Sequence, residues 1–344
     1  MRKFKIAVIG CGRISVNHFK AIAENEFFEL CAVCDTDSVA ANNSAVTNNV
    51  PAFHTLQELL TVAKPDIVSL CTPSGIHPAQ TILSAKHGVH VLTEKPMATR
   101  YQDAVDANRV CDEAGTKLFV VKQNRLNKTI DLLKRSIEKG RFGRIYNITS
   151  NVFWTRPQYY YDQSSWRGTW DMDGGALMNQ ASHYADLLTY LGGPLDSVFA
   201  YSATLARKIE AEDSITVALR WRNGAIGSLN VSMLTYPSNL EGSITILGEK
   251  GTVKIGGVAL NRIESWNFET EDTEIDNQIK EASYETNSVY GFGHSGYYQE
   301  LALALNGLPS KAVSGRSGLQ SLQTLIGSYR SVVTNKPISF PLDI

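Results

Sequence analysis

With 344 residues, 43% of them hydrophobic and 19% charged, the chain is long enough for two cored domains and too apolar for wholesale disorder. A formal net charge of −1 gives no global attraction to nucleic acid, so none is expected as a partner. No apolar run approaches the ~20 residues needed to cross a bilayer, so no membrane partner is expected either.

The chain opens on Met1-Arg2-Lys3-Phe4-Lys5 and turns apolar, as a signal peptide does, but the apolar run is short and Gly10 breaks it. A strand entering a turn fits better, and the cytoplasm is the expected location. Short apolar runs then alternate with longer mixed segments, the pattern of βαβ units around a parallel sheet. Strands are expected at 4–9, 30–34, 67–71, 90–93 and 118–121, with helices over 18–24, 77–87 and 101–114. The five cysteines (Cys11, Cys31, Cys34, Cys71, Cys111) are too scattered for a disulfide framework. Cys31 and Cys34 have C-x-x-C spacing but lie inside an apolar strand pattern, where cysteine acts as a small hydrophobe. No second pair follows, and no metal is expected, because a structural zinc site takes four ligands.

Beyond Asn124 the texture changes. Residues 128–139 read as a helix closed by Gly140, and strand-like runs dominate after it. Asn223-Gly224 between two such runs predicts a hairpin, as does Gly248-Glu249-Lys250-Gly251. Helices are expected at 176–191 and 318–333. The reading is therefore α/β, with a parallel-sheet domain over 1–124 and, over 125–344, an α+β domain built on a large, mainly antiparallel open sheet.

The strand Lys5-Ile6-Ala7-Val8-Ile9 runs into Gly10-Cys11-Gly12-Arg13-Ile14-Ser15, a G-x-G-x-x-S turn. Its glycines allow a tight turn and let a pyrophosphate approach backbone N–H groups at a helix N-terminus. Ser15 replaces the usual third Gly or Ala and is still small. The next strand ends at Asp35, near the position where a carboxylate accepts ribose hydroxyls and repels a 2′-phosphate. This predicts a Rossmann domain with NAD as cofactor, bound through Gly10, Gly12, Arg13, Ile14 and Asp35. The plainer alternative for Asp35 is a surface turn, Asp35-Thr36-Asp37.

Three further motifs follow. Cys71-Thr72-Pro73-Ser74-Gly75-Ile76-His77 leaves the strand at 67–71. Glu94-Lys95-Pro96 ends the strand at 90–93, placing Lys95 at the carboxyl edge of the sheet, where open α/β folds bind ligands. Gly174-Gly175-Ala176-Leu177-Met178-Asn179-Gln180-Ala181-Ser182-His183 opens a helix. Together these resemble the Gfo/Idh/MocA oxidoreductases, NAD(P)-dependent sugar and cyclitol dehydrogenases, over essentially the whole chain. The resemblance implies that Lys95 and His183 are the catalytic pair facing the hydroxyl that loses hydride. It also implies cofactor contacts from Thr72, Pro73, Ser74, His77, Glu94, Lys95, Asn124, Trp166 and Arg167. Many members carry Asp four residues before the histidine; Asn179 stands there in this chain and cannot act as a carboxylate base.

Residues 119–125, 151–158, 166–170, 178–184, 234–237, 239–243 and 288–294 are similar to one subgroup of the family. That subgroup oxidises the 3-hydroxyl of UDP-N-acetylglucosaminuronate to a ketone, for the diacetamido-uronic acids of bacterial surface polysaccharides such as lipopolysaccharide. The implied partner is a UDP-linked amino-uronic acid, with substrate contacts from Lys95, Arg156, Arg167, Asn179, Gln180, His183 and Tyr236. Arginine forks suit a carboxylate and a diphosphate alike, and Arg156 and Arg167 lie among aromatics; aromatics in a core with surface arginines is the competing account. An imidazole titrates near neutrality, which favours His183 as base with Lys95 holding the oxygen, while the reverse assignment stays open.

On a helical wheel Leu177, Ala181, Tyr184, Leu188 and Leu191 form an apolar stripe, opposite Asn179, His183 and Asp186. By periodicity alone that polar side is a solvated face, and His183-x-x-Asp186 a metal fragment without a third ligand. An open sheet with one bare face needs a partner, so a homodimer or homotetramer is expected. Two rivals remain, a family member acting on a free sugar or inositol, and a dinucleotide-binding regulator without turnover. The presence of both Lys95 and His183 favours catalysis.

Overall fold

The structure, a computed structural model, describes residues 2–286 and 293–343. Two compact units emerge, and they do not part at a single point. The first comprises the chain up to Gln123 together with a return segment ending at Leu319, and the second takes the chain from Asn124 and again from Gln320. A single boundary at 124/125 therefore needs correcting. The return segment is held by tertiary contacts that no local pattern reveals: Val120 N–H donates to the Val313 carbonyl at 2.9 Å, and Tyr297 and Tyr298 are fully buried.

Among its described residues the first unit holds a six-stranded sheet. Its strands are β1 (Phe4–Ile9), β2 (Phe28–Cys34), β3 (Ala52–Phe53), β4 (Ile67–Leu70), β5 (His90–Thr93) and β6 (Leu118–Val120). They pair in the order β3-β2-β1-β4-β5-β6, every pair parallel. Ile6, Val8, Val68, Leu70 and Val91 are wholly buried, as a parallel sheet covered on both faces demands. The strand order reverses between β1 and β4, so their carboxyl ends form the switch point where such sheets take ligands. Four elements of this unit escape the sequence pattern: β3 and the helices Ser38–Asn48, Leu56–Val62 and Gly293–Leu305. The first of these helices is rich in Asn, Ser and Ala and has no clear apolar stripe. Its start is fixed instead by Asp37, whose side chain accepts the N–H groups of Val39 and Ala40.

The second unit carries an eight-stranded sheet among its described residues. The strands are β7 (Ile145–Phe153), β8 (Leu195–Ala203), β9 (Ser214–Trp221), β10 (Ile226–Ser232), β11 (Glu241–Gly248), β12 (Gly251–Gly256), β13 (Arg262–Phe268) and β14 (Ile338–Ser339). Their order is β13-β12-β11-β7-β10-β9-β8-β14, antiparallel except where β7 meets β10. Both predicted hairpins form, β9–β10 and β11–β12. In β9, Ile215, Val217, Leu219 and Trp221 are buried while Thr216, Ala218 and Arg220 are exposed, so one face packs inward.

The helix expected at 176–191 is not continuous. Ala176–Gln180 is a π-helical turn, and a regular helix starts only at Ser182 and runs to Gly192. Leu177, Ala181, Tyr184, Leu188 and Leu191 are buried as the wheel predicts, but so are His183 and Asp186. The solvated-face reading is thus wrong. A wheel of constant angle cannot be drawn through a π-turn, and this helix is buried on all sides.

Candidate active site

In the first unit the loops after β1 and β4 meet. Gly10 adopts φ +92°, and a Cβ there would lie 2.8 Å from the Cys71 carbonyl carbon and oxygen, so only glycine fits. A Cβ on Gly12 would meet nothing within 4 Å; Gly12 and Arg13 are exposed and Ile14 is half-buried. Asp35 is half-buried and is not a loose surface turn. One carboxylate oxygen accepts the Cys11 N–H at 2.7 Å and the other accepts the Asp37 N–H at 2.9 Å. The acid from the end of β2 is thereby locked against the glycine turn.

Thr72 and Pro73 are half-buried, and Ser74 is buried in a short 3-10 turn, Ser74–Ile76. His77 is buried beneath them. Its Nε2 lies 2.9 Å from the Thr72 carbonyl and its Nδ1 3.0 Å from the Pro96 carbonyl, and in the neutral form the ring donates to one of the two. Burial lowers its proton affinity, against the pull of these carbonyls. Lys95 is half-buried at the end of β5, and Glu94 is buried, its carboxylate accepting the Lys95 N–H at 3.0 Å. Sequence reasoning missed the roles of His18 and His294, which flank Glu94, and of Tyr298, whose hydroxyl lies 2.8 Å from His18 Nδ1. The local signals are a histidine three residues past the G-x-G-x-x-S turn and the place of His294 in the segment 288–294.

In the second unit the π-turn is the centre. Ala176 N–H donates to the Glu212 carbonyl, and Leu177 N–H and the Tyr329 hydroxyl both donate to Glu212 Oε1 at 2.9 Å. Gly175 is required here because a Cβ would run into that carboxylate. Asn179 donates to Asp173, whose other oxygen accepts the Gly168 N–H at 2.7 Å. Gln180 accepts from Arg156 Nε at 3.1 Å and donates to the Tyr160 hydroxyl at 3.0 Å. Arg167 donates to the same hydroxyl at 2.7 Å, its guanidinium stacked over the Tyr160 and Trp166 rings. Arg156, Gln180 and Arg167 are therefore one connected cluster, with Tyr160 as the link. Arg156 likewise stacks over the Trp154 and Tyr160 rings, so aromatic faces help to hold both guanidinium groups.

His183 is 8% exposed on the first turn of the regular helix. Asp186, one turn on, receives a two-pronged Arg125 at 2.7 and 2.8 Å, an ion pair in place of the metal fragment. Asn124 is buried in the turn Gln123–Leu126, and Trp166 is half-buried. Tyr236 does not join the cluster; it is 95% exposed. Of the segment 288–294, residues 288–292 lie outside the described residues.

Burial pushes the Glu212 carboxyl up to about 7, offset in part by the Leu177 and Tyr329 donors. Between about pH 4.5 and 7 the folded state holds a proton that the unfolded chain has lost, so stability falls as pH rises through that window. Glu212→Gln lacks this slope. Its urea stability relative to the parent should rise by ~3 kcal/mol across the window. Parallel stability–pH curves for the two proteins would refute this account of Glu212.

The first unit suits a dinucleotide: open space at Gly12, an acid at the end of β2, and the switch point beside them. Two solved structures resemble the whole chain. The WlbA dehydrogenase of Bordetella pertussis, in complex with NADH and UDP-GlcNAcA, is 56% identical with a TM-score of 0.96 over 99% of both chains. The WlbA dehydrogenase of Chromobacterium violaceum, with the same two ligands, is 51% identical with a TM-score of 0.95, over 100% of this chain and 98% of that one. A 1-carboxy-3-chloro-3,4-dihydroxycyclohexa-1,5-diene dehydrogenase of Comamonas testosteroni is 25% identical over 85% of this chain and 72% of its own length. Residues 4–122 match the oxidoreductase-family NAD-binding Rossmann fold and residues 134–340 its C-terminal alpha/beta domain, so the chain belongs to the Gfo/Idh/MocA oxidoreductase family.

Proposed function

We propose that this protein is an NAD-dependent dehydrogenase that oxidises the 3-hydroxyl of UDP-N-acetylglucosaminuronate to the 3-keto sugar nucleotide. The observation that carries the reading is the near end-to-end likeness to two dehydrogenases that hold NADH and UDP-GlcNAcA, with no large insertion or loss in this chain. In this reading the product feeds bacterial surface polysaccharide synthesis, including lipopolysaccharide, and the enzyme works in the cytoplasm. A screen of UDP-uronates, UDP-hexoses, free sugars and inositols, read by NADH absorbance, tests it. Turnover of a free sugar or inositol with none of a UDP-uronate would replace it with another family activity.

Oxidation takes a proton from O3 and a hydride from C3. Bound NAD⁺ supplies the hydride acceptor. His183 accepts the O3 proton, its ring shielded from bulk water by burial. The Lys95 ammonium holds O3 and offsets the negative charge that grows there. Asn179 does not compete as a base, since it is an amide donor to Asp173. Gln180, Arg156 and Arg167 present donors for the uronate carboxylate or the diphosphate.

Asp35 sets the cofactor. Its half-buried carboxylate disfavours a 2′-phosphate, so NAD should bind ~10- to 100-fold more tightly than NADP. Asp35→Ala should narrow that gap, and equal affinities in the parent protein by fluorescence titration would remove Asp35 from this role.

The outer face of the large sheet supports an oligomer. Tyr201, Ile226 and Leu247 are exposed there beside Thr216 and Ala218 on neighbouring strands. A homodimer or homotetramer is expected by light scattering at micromolar concentration, and a monomer would count against it.

A further inference from the structure

One buried cluster in the first unit has no part in the chemistry above. Glu94, at the end of β5, is 5% exposed and flanked by two imidazoles. His18 Nε2, from the helix Ser15–Ala23, lies 3.0 Å from Glu94 Oε1, and His294 Nε2, from the helix Gly293–Leu305, lies 3.4 Å from the same oxygen. Glu94 Oε2 accepts the Lys95 N–H. On the far side of His18, Nδ1 is 2.8 Å from the Tyr298 hydroxyl and 2.9 Å from the Ser69 hydroxyl.

The donors can be assigned. A carboxylate only accepts, so each Nε2 must carry the hydrogen that reaches it. His18 Nδ1 is then the acceptor in a neutral ring and takes the Tyr298 or Ser69 O–H. Burial pulls His18 towards this neutral form, and the two imidazole donors hold Glu94 well below the usual carboxylate range, although burial alone would raise it. A hydrogen-bonded chain thus runs from Tyr298 or Ser69 through His18 and Glu94 to the main chain of Lys95. His77 grips the next residue, at the Pro96 carbonyl.

We infer that Glu94 is a positioning residue for Lys95: its carboxylate, oriented by His18 and His294, fixes the lysine main chain at the carboxyl edge of the sheet. This replaces direct side-chain contact with the cofactor, which its burial and its three N–H donors disfavour. It also makes the return segment part of the catalytic apparatus, since that segment brings His294 to Glu94 across 200 residues of sequence. The inference rests on Lys95 being catalytic. The same three residues have ligand atoms within 4.8 Å of one another, the spacing of a metal site, but the two ring N–H donors satisfy the carboxylate without a metal ion.

The test compares Glu94→Gln, His294→Ala and Lys95→Ala with the parent enzyme. Glutamine keeps the shape but turns one acceptor oxygen into an N–H donor, aimed at Lys95 N–H or at the imidazoles. Glu94→Gln should lower kcat ~10- to 100-fold, as a misplaced catalytic group does, with the NADH Kd and the sugar KM within ~3-fold of the parent. His294→Ala, which leaves the His18 donor in place, should show the same split at ~3- to 10-fold and covers the case in which Glu94→Gln does not fold. A Glu94→Gln kcat within ~3-fold of the parent, beside an inactive Lys95→Ala, overturns the inference alone. An NADH Kd weakened in step with kcat also overturns it and restores Glu94 as a cofactor ligand. Stoichiometric zinc in the purified enzyme would overturn it in favour of a metal site. A near-normal Lys95→Ala would instead sink the catalytic reading of Lys95.

Discussion

His183→Ala and Lys95→Ala should each lower turnover by on the order of 10²–10⁴-fold, the range for losing a general base or the group that steadies its product. If both groups serve one hydroxyl, as proposed, the double variant should fall well short of the product of the two losses. The pH profile separates their roles. With His183 as base, kcat/KM of the parent rises with pH through an inflection that the imidazole supplies. His183→Ala should lose that limb, and Lys95→Ala should keep it at a lower plateau. If His183→Ala retains the limb, the base is Lys95 and the assignment reverses. Turnover near the parent's in either single variant removes that residue from the chemistry.

The second large effect is discrimination at carbon 6. UDP-N-acetylglucosamine carries a neutral hydroxymethyl where the uronate has a carboxylate. A site built to pair a carboxylate leaves donors unsatisfied without it, at a cost of ~1–3 kcal/mol, or roughly 10- to 100-fold in kcat/KM. The cluster gives this expectation a place. Arg156 and Arg167 are each half-buried and lie on the Tyr160 ring, and Tyr160 and Gln180 tie them together. Whichever arginine meets the carboxylate, its replacement by Ala should depress the uronate's kcat/KM strongly and hardly change that of the hydroxymethyl sugar. The other arginine, if it meets the diphosphate, should weaken both sugars alike. Equal kcat/KM for the two sugars in the parent would end the uronate assignment and leave a general sugar-nucleotide dehydrogenase.

Local chemistry carried much of this molecule into view. Strands β1 and β5 are read to the residue, because they are short apolar runs bounded by turn residues. The Gly10 and Gly12 turn, Asp35 and Lys95 follow from their places at strand ends, where backbone geometry and ligand edge coincide. The hairpins at Asn223-Gly224 and 248–251 are legible because turn chemistry is local. The polar helix Ser38–Asn48 is not, since a capping aspartate rather than an apolar stripe specifies it.

What remained hidden depends on contacts between residues distant in the chain. Nothing near Ala176–Gln180 announces a π-turn; Glu212, brought in from the end of the β8–β9 connection, receives its N–H groups and demands the glycine beside it. Nothing near Arg156 announces that Gln180 and Tyr160 will join it to Arg167. Nothing near Asp186 announces Arg125 as its partner, and His294 acquires meaning only against Glu94 and His18. The sequence by itself determined the family, the cofactor class and the strand ends that carry Asp35 and Lys95, because periodicity and turn chemistry act over a few residues. Only the tertiary structure decided which buried polar groups partner one another, because a desolvated donor must find an acceptor wherever the fold brings one.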